Sequence, residues 1–423
     1  MIKNKIVVIG LGYIGLPLAI EFSRKNIVIG FDTNDKRIET LRQGVDKNKE
    51  FLKNQIKKKN LIFSSNKQDI KNSDVYIVTV PTPVKYNNQP DLSHLQNACK
   101  TVGESLKKNS IIIFESTVYP GCTEEFCVPI LKKYSQMIPN KDFFYGYSPE
   151  RINVGDKRKT LVKIDKLVSG SNKSTTIKIY QLYKSIVHAK IHKVPNIKTA
   201  EAAKVVENTQ RDLNIALINE LSLIFKKINL NTKEVIKYAA TKWNFIKYDP
   251  GLVGGHCIGV DPYYLTYTAK KVGLNPQVIL AGRKINNSVG QEIGKQVLNI
   301  AKKKKIFKKR LKILIAGFTF KENCSDFRNT KVIDIYNFFS KKKNLVSVYD
   351  PWCDYAEIQK KHNIKLLKKL KYKSLFDILI IAVPHDQFYK MGIKRFKKNL
   401  NNNSVIFDVK ELFNNDQRID GSL

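Results

Sequence analysis

Cys257 lies in the glycine-rich stretch 250–259, four residues before Asp261 and Pro262. Glycines there let a ligand approach the backbone closely. A cysteine that opens a helix has a depressed pKa and attacks carbonyl carbon well. If a helix starts at Cys257, Asp261 follows one turn later on the same face. The competing reading is a buried structural thiol. Lys204, Asn208 and Arg211 are spaced four and three apart, with Glu201 on the same stripe. On a helix they share one face. An ammonium, an amide and a guanidinium in one row suit the wall of a site that stabilises an oxyanion, or equally a solvated face.

A second constellation is Gly10-x-Gly12-x-x-Gly15, which follows the apolar run Lys5–Gly10 and opens a helical pattern. Asp32 ends the next apolar run about 20 residues on, as a dinucleotide fingerprint requires. The glycines admit a pyrophosphate at a helix N-terminus. Asp32 is then an acceptor for a ribose diol and repels a 2′-phosphate, which favours NAD over NADP. The plain alternative is a glycine turn with no ligand.

The elements that must position these residues occur twice. The runs Lys5–Gly10, Ile27–Asp32, Asp74–Pro81 and Ser110–Phe114 are matched in order by Lys312–Gly317, Leu345–Asp350, Asp377–Pro384 and Ser404–Phe407. Short buried strands with helical-length spacers imply two doubly wound domains. The second copy lacks the glycine fingerprint, its turn being Gly317-Phe-Thr-Phe-Lys321. Between the copies, Thr199–Ile228 holds no Gly or Pro and carries Ala203, Val206, Leu213, Leu217, Leu221 and Ile224 at helical spacing. About 30 helical residues span roughly 45 Å. The expected fold is α/β, two Rossmann-like doubly wound domains joined by a long central helix. The expected boundaries are 1–195 for a dinucleotide domain, 196–305 for a helical segment carrying dimer and site residues, and 306–423 for a second nucleotide-binding domain.

Composition narrows the function. The 423 residues carry 75 Lys+Arg against 37 Asp+Glu, a net charge of +38. Only 11 of the cations are Arg, and the Lys runs are scattered rather than gathered into one basic module. Nucleic-acid recognition favours arginine forks, so no nucleic-acid partner is expected. Six cysteines without a C-x-x-C pair form neither a disulfide framework nor a zinc site, so no metal and a reducing, cytoplasmic setting are expected. Lys3 and Lys5 before the uncharged stretch Ile6–Ile20 superficially resemble a secretory leader. Its three glycines and Pro17 argue against that, and against membrane insertion.

Taken together, Gly10-Leu-Gly-Tyr-Ile-Gly15, Val80-Pro-Thr-Pro83, Glu115-Ser-Thr-Val-Tyr-Pro-Gly121, Ser148-Pro-Glu-Arg-Ile152, Glu201-Ala-Ala-Lys204, Gly254-Gly-His-Cys257, Asp261-Pro262, Gly317-Phe-Thr-Phe-Lys321 and Asp326-Phe-Arg328 resemble the UDP-glucose/GDP-mannose dehydrogenase family. The likeness runs from Ile6 to about Val409. The stretches 208–214 and 251–265 resemble the branch acting on UDP-N-acetylhexosamines, with UDP-N-acetylglucosamine favoured and UDP-N-acetylgalactosamine, UDP-N-acetylmannosamine or UDP-glucose as the alternatives. The resemblance implies two successive NAD-dependent oxidations at C6 and a homodimer built on the central helix. It implies Cys257 as nucleophile, Lys204 as oxyanion partner, Asn208 and Asp261 as positioners of alkoxide and water, and Glu150 and Thr117 in hydrolysis or proton transfer. Gly10, Gly12, Tyr13, Ile14, Gly15, Asp32, Arg37, Thr82, Thr117 and Arg328 match cofactor contacts. Glu150, Arg151, Ile152, Lys204, Asn208, Arg211, Gly255 and Lys321 match substrate contacts. Val154-Gly155-Asp156 departs from the pattern, since proline often precedes that glycine. A two-electron hydroxyacid dehydrogenase is the rival oxidoreductase, though it needs neither Cys257 nor a second α/β domain. A catalytically silent nucleotide-sugar or NAD sensor is the non-enzyme rival.

Overall fold

The computed structural model describes residues 4–48, 50–152, 160–370, 375–413 and 416–423; the Val154-Gly155-Asp156 departure lies outside them. The chain forms two compact units, Met1–Glu207 with Tyr263–Asn275, and Asn208–Pro262 with Pro276–Leu423.

In the first unit, strands β1 (Lys5–Ile9), β2 (Ile27–Phe31), β3 (Leu61–Ser64), β4 (Val75–Val78), β5 (Ser110–Phe114), β6 (Phe143–Tyr147), β7 (Lys166–Gly170) and β8 (Ile191–Lys193) form one sheet. Among the described residues its order is β3-β2-β1-β4-β5-β6-β7-β8. Every pairing is parallel except β6 with β7. Burial on both faces explains why β1 and β4 read as unbroken apolar runs. Ile6, Val8, Leu16, Phe22, Val28 and Ile77 share one core beneath the first helix, Gly15–Phe22. The stretch that resembled a leader is therefore the first strand, turn and helix of this sheet.

In the second unit, β9 (Lys312–Ala316), β10 (Leu345–Tyr349), β11 (Phe376–Ile381) and β12 (Leu400–Asp408) form a parallel sheet in the order β10-β9-β11-β12. This matches β2-β1-β4-β5 of the first sheet, and the likeness extends to single hydrogen bonds. Gly10 N–H donates to Phe31 O and Gly317 N–H to Tyr349 O, each at 2.8 Å. Both glycines sit near φ +92° to +93°, a region that disfavours a side chain. The strand-start amides of Lys5 and Lys312 donate to Asp74 and Asp377 at 2.7 and 2.9 Å.

The central helix runs Ile197–Lys227, 31 residues, and passes from one unit to the other after Glu207. The apolar stripe read from the sequence is not its buried face: Val206, Leu217 and Ile224 stay about half exposed. Val205, Ala216, Ile218 and Ser222 are buried instead. No helix among the described residues is long and apolar enough to cross a membrane.

Candidate active site

The glycine turn after β1 is built to leave room. A Cβ placed on Gly15 would lie 1.8 Å from the Gly10 carbonyl oxygen and 2.5 Å from Thr79 Oγ1, so the helix start seats directly on the strand end. A Cβ on Gly12 would meet nothing within 4 Å, leaving an open cradle. Tyr13 and Ile14 beside it are half-buried. Asp32 accepts the Leu11 and Asn34 amides, each at 2.9 Å, which fixes its carboxylate at the end of β2. Arg37 donates Nε to Leu11 O at 3.0 Å and Nη1 to Asp46 at 2.9 Å. Its Nη2 is buried with no hydrogen-bond partner. An open glycine cradle, a fixed carboxylate and an unsatisfied guanidinium nitrogen fit a dinucleotide with anionic phosphates and a ribose diol. At the neighbouring strand ends, Thr82 Oγ1 donates to Thr117 O at 2.6 Å, tying the loops after β4 and β5. The Tyr264 hydroxyl donates to Thr82 O.

The loop after β6 presents Glu150, Arg151 and Ile152. Glu150 is buried, and its Oε1 accepts the amides of Arg151 and Ile152 at 2.6 Å each. Its Oε2 has no hydrogen-bond donor and lies 3.6 Å from Lys166 Nζ. The Arg151 guanidinium is engaged by Glu207 at 2.8 Å and by Asp165 O at 3.0 Å. One helical turn before Glu207 sits Lys204, 6% exposed, so the Glu201–Lys204 part of the stripe is buried, whereas Arg211 at its far end is exposed. Glu201, a further turn back, accepts Gly121 N–H at 2.5 Å and the Thr123 amide and hydroxyl at 2.9 and 2.6 Å. It thereby anchors the segment that follows Thr117. Burial pushes Glu201 up to about 7, even with the Thr123 and Gly121 donors opposing it.

In the second unit, Asn219 clamps the start of the Cys257 loop, accepting Gly251 N–H at 2.7 Å and donating to Gly251 O at 3.1 Å. Gly254 and Gly255 then pack on the segment after β9. A Cβ on Gly254 would come within 2.8 Å of Asn329 O, and one on Gly255 within 2.7 Å of the Phe320 ring. Gly255 has φ +84°, so that position needs glycine twice over. Cys257 is exposed. It does not open a helix: the next helix, Asp261–Lys271, starts four residues later. The Cys257 carbonyl accepts the Val260 and Asp261 amides at 3.1 and 2.8 Å, closing a turn that leads from the thiol into that helix. Asp261 is buried and accepts Asn208 Nδ2 at 2.5 Å. Beside the thiol, His256 Nδ1 lies 3.5 Å from Asp326, which is gripped by Arg328 at 2.7 and 2.9 Å. Burial, with Arg328 adding to it, pushes His256 down to about 4, so the imidazole is neutral near pH 7. Lys321 and Arg211 belong to the same unit, Arg211 exposed on the central helix.

The sequence-derived residues therefore fall in two sets. Gly10, Gly12, Tyr13, Ile14, Gly15, Asp32, Arg37, Thr82, Thr117, Glu150, Arg151, Ile152 and Lys204 belong to the first unit; Asn208, Arg211, Gly255, Cys257, Asp261, Lys321 and Arg328 belong to the second. Sequence reading missed two buried groups. One is the Lys166–Glu115 pair, hidden because Lys166 stands in an ordinary strand pattern. The other is Asp350, the counterpart of Asp32. It accepts the Phe318, Thr319 and Trp352 amides at 2.6, 3.1 and 2.7 Å, and His385 Nε2 lies 3.1 Å away. Asp350 and His385 are both fully buried, so that carboxylate offers nothing to a ribose. No group of three or more His, Cys, Asp or Glu among the described residues is placed to hold a metal ion.

The chain thus carries an open glycine cradle at the end of β1, a second sheet that repeats the first without the fingerprint, and an exposed thiol in a glycine-rich loop. Sequence models of the UDP-glucose/GDP-mannose dehydrogenase family match in three parts: its NAD binding domain at residues 4–187, its central domain at 198–288 and its UDP binding domain at 314–415. The chain belongs to this family. It is 48% identical to a UDP-N-acetyl-D-glucosamine 6-dehydrogenase of Salmonella typhi, over 96% of each chain. It is 47% identical to one of Pseudomonas aeruginosa, over 98% of each. The solved structure of a UDP-D-ManNAc dehydrogenase from Pyrococcus horikoshii superposes with a TM-score of 0.89 at 29% identity, covering 97% of this chain and 96% of that one.

Proposed function

We propose that the chain oxidises C6 of a UDP-N-acetylhexosamine, UDP-N-acetylglucosamine foremost, from alcohol to carboxylate for a surface polysaccharide or other glycan. The observation that carries this reading is identity of 47–48% over nearly the full length of two proteins of that activity. Gly12, Asp32 and Arg37 would hold NAD, which would supply the hydride acceptor for each of two oxidations. Asn208 and Asp261, already paired, hold the substrate hydroxyl and the proton it loses. The Cys257 thiolate adds to the aldehyde carbon to give a thiohemiacetal, which the second oxidation converts to a thioester. Lys204 stabilises the oxyanion at that carbon. Water activated by Glu150, with Thr117 assisting, then cleaves the C–S bond and returns the thiolate. Four electrons leave the sugar, so two NADH form per uronate. The tether keeps the aldehyde from escaping, and it splits a difficult oxidation into easier steps.

On this reading 1–195 binds NAD with Arg328 contributing, 306–423 binds the UDP-sugar with Lys321, Gly255, Arg151, Ile152 and Arg211, and 196–305 carries the dimer. On the same reading the enzyme works in the cytoplasm. The uncovered stripe of the central helix (Val206, Leu217, Ile224, each about half exposed) supports a homodimer, because a contiguous apolar stripe of this length costs hydrophobic free energy when left in water. Light scattering at micromolar concentration is expected to give twice the 48.5 kDa chain mass; a fully active monomer contradicts it.

The substrate reading is tested with a panel of UDP-sugars and NAD, measuring NADH per sugar consumed. N-acetylated UDP-hexosamines are expected to surpass UDP-glucose in kcat/KM by roughly 10²-fold or more, with UDP-N-acetylglucosamine first. A higher kcat/KM for UDP-glucose overturns it. NAD is expected to outperform NADP in the same assay, since Asp32 stands where a 2′-phosphate would go.

A further inference from the structure

Behind Glu150 lies a buried charge cluster that the mechanism above does not use. Lys166, the first residue of β7, is 2% exposed. Its ammonium has three protons to give. It donates to Glu115 Oε2 at 2.6 Å and to Pro149 O at 3.1 Å, and it lies 3.6 Å from Glu150 Oε2. Glu115, at the end of β5, is fully buried and also accepts the Tyr183 hydroxyl. The Tyr183 ring lies 5.1 Å from the Lys166 ammonium. Three separate elements thus fix one cation against the peptide carbonyl just before Glu150 and against the one Glu150 oxygen that has no hydrogen-bond donor.

We propose that Lys166, braced by Glu115 and Tyr183, is a positioning residue for the hydrolytic half of the reaction, aiming the free oxygen of Glu150 at the water that cleaves the thioester. This rests on the reading of Glu150 as the base. In that step Glu150 Oε2 takes a proton from water as the hydroxyl oxygen bonds to the thioester carbon. The C–S bond breaks and Cys257 leaves as thiolate. No electrons are exchanged, so the two oxidative steps do not need Lys166.

A purely structural ion pair explains the cluster less well. A buried pair seldom repays its desolvation. Here one ammonium serves two buried carboxylates, and the second of them is the proposed base. Burial, with the Glu150 charge adding to it, pushes Glu115 up to about 7 against the pull of Lys166. Near neutrality Glu115 therefore changes charge. The groups facing it are Lys166 on β7, Tyr183 on the helix Lys173–Lys184, and Glu150 on the loop after β6. Below that pH a neutral Glu115 leaves the ammonium to Glu150 alone; above it the cation is shared.

The test uses the full-length enzyme with UDP-N-acetylglucosamine and NAD. Lys166→Met is expected to keep the first burst of two NADH per chain while steady-state turnover falls by about 10²-fold. The uronyl thioester should then accumulate on Cys257, visible by intact mass spectrometry as a hydroxylamine-labile adduct. Lys166→Arg should restore most of the turnover, because the charge returns. Glu115→Gln should remove an inflection near pH 7 from the rate of adduct breakdown. Loss of burst and turnover together in Lys166→Met, or turnover near wild type, overturns the proposal. Should Lys166→Met fail to fold, Glu115→Gln decides: an unchanged pH profile overturns it. Glu150→Gln separates the two readings. If it accumulates adduct and folded Lys166→Met does not, only the positioning role falls; if neither does, the reading of Glu150 as base falls with it.

Discussion

Replacing Cys257 by alanine is expected to lower uronate formation by about 10³-fold or more while leaving fold and NAD affinity intact. An essential nucleophile has no substitute among its neighbours, and losses of this size are typical when one is removed. The side chain is exposed, so its deletion opens no core cavity and the melting temperature should barely move. The glycines that shape the loop are untouched, and so are the Asn219 clamp and the Asn208–Asp261 pair. Cys257→Ser should give a slowly hydrolysed ester instead of a thioester, and so a burst followed by a stall. The measurement is NADH per UDP-sugar, with product resolved by chromatography. If the alanine variant still delivers two NADH per sugar at near the wild-type rate, the aldehyde hydrate is oxidised directly and the covalent route is wrong.

Two alanine substitutions three residues apart, at Gly12 and Gly15, should part company in an equally large way. Gly12→Ala places a methyl in space that no protein atom approaches within 4 Å. The protein should fold with unchanged stability, yet bind NAD on the order of 10²-fold more weakly, because the methyl enters the volume reserved for the pyrophosphate. Gly15→Ala instead drives a methyl to 1.8 Å from a backbone oxygen. Backbone cannot swing aside as a long side chain does, so the turn must open and stability should fall by roughly 2–4 kcal/mol. Thermal melting and NAD titration by quenching of the protein's intrinsic fluorescence separate the outcomes. Equal NAD affinity in Gly12→Ala and wild type would mean that the cradle faces something other than a dinucleotide.

Much of the fold could be read from the chain because its signals are local. A strand buried on both faces announces itself as an apolar run. A glycine needed for positive φ stands at the end of β1 and again at the end of β9. The absence of Gly and Pro over thirty residues left a helix as the only economical reading. The thiol was legible for the same reason, being framed by glycines that its neighbours at Phe320 and Asn329 demand. What escaped depends on pairings between distant positions. Lys166 and Glu115 are 51 residues apart and meet only because β5 and β7 flank β6 in the sheet. The fate of Asp350 was equally hidden. Its strand-end position copies Asp32, and only the arrival of His385, 35 residues later, occupies the carboxylate. The apolar stripe of the central helix was read correctly as apolar, but periodicity cannot say whether the chain itself or another copy covers it.

The distribution of thiols has a practical side. Cys99, Cys122, Cys127, Cys324 and Cys353 are buried, and Cys257 alone of the six is exposed. Burial pushes the Cys324 thiol up to about 11 and raises Cys127 and Cys353 as well, so these are slow to react even when briefly uncovered. The wild-type chain thus comes with a single addressable handle, located where the chemistry is proposed to occur. A maleimide dye or a nitroxide would attach there without any engineered cysteine and report on that loop alone. A chromogenic disulfide reagent would release one fast equivalent from each folded chain and six from each unfolded one, turning a simple absorbance reading into a count of intact molecules in a preparation.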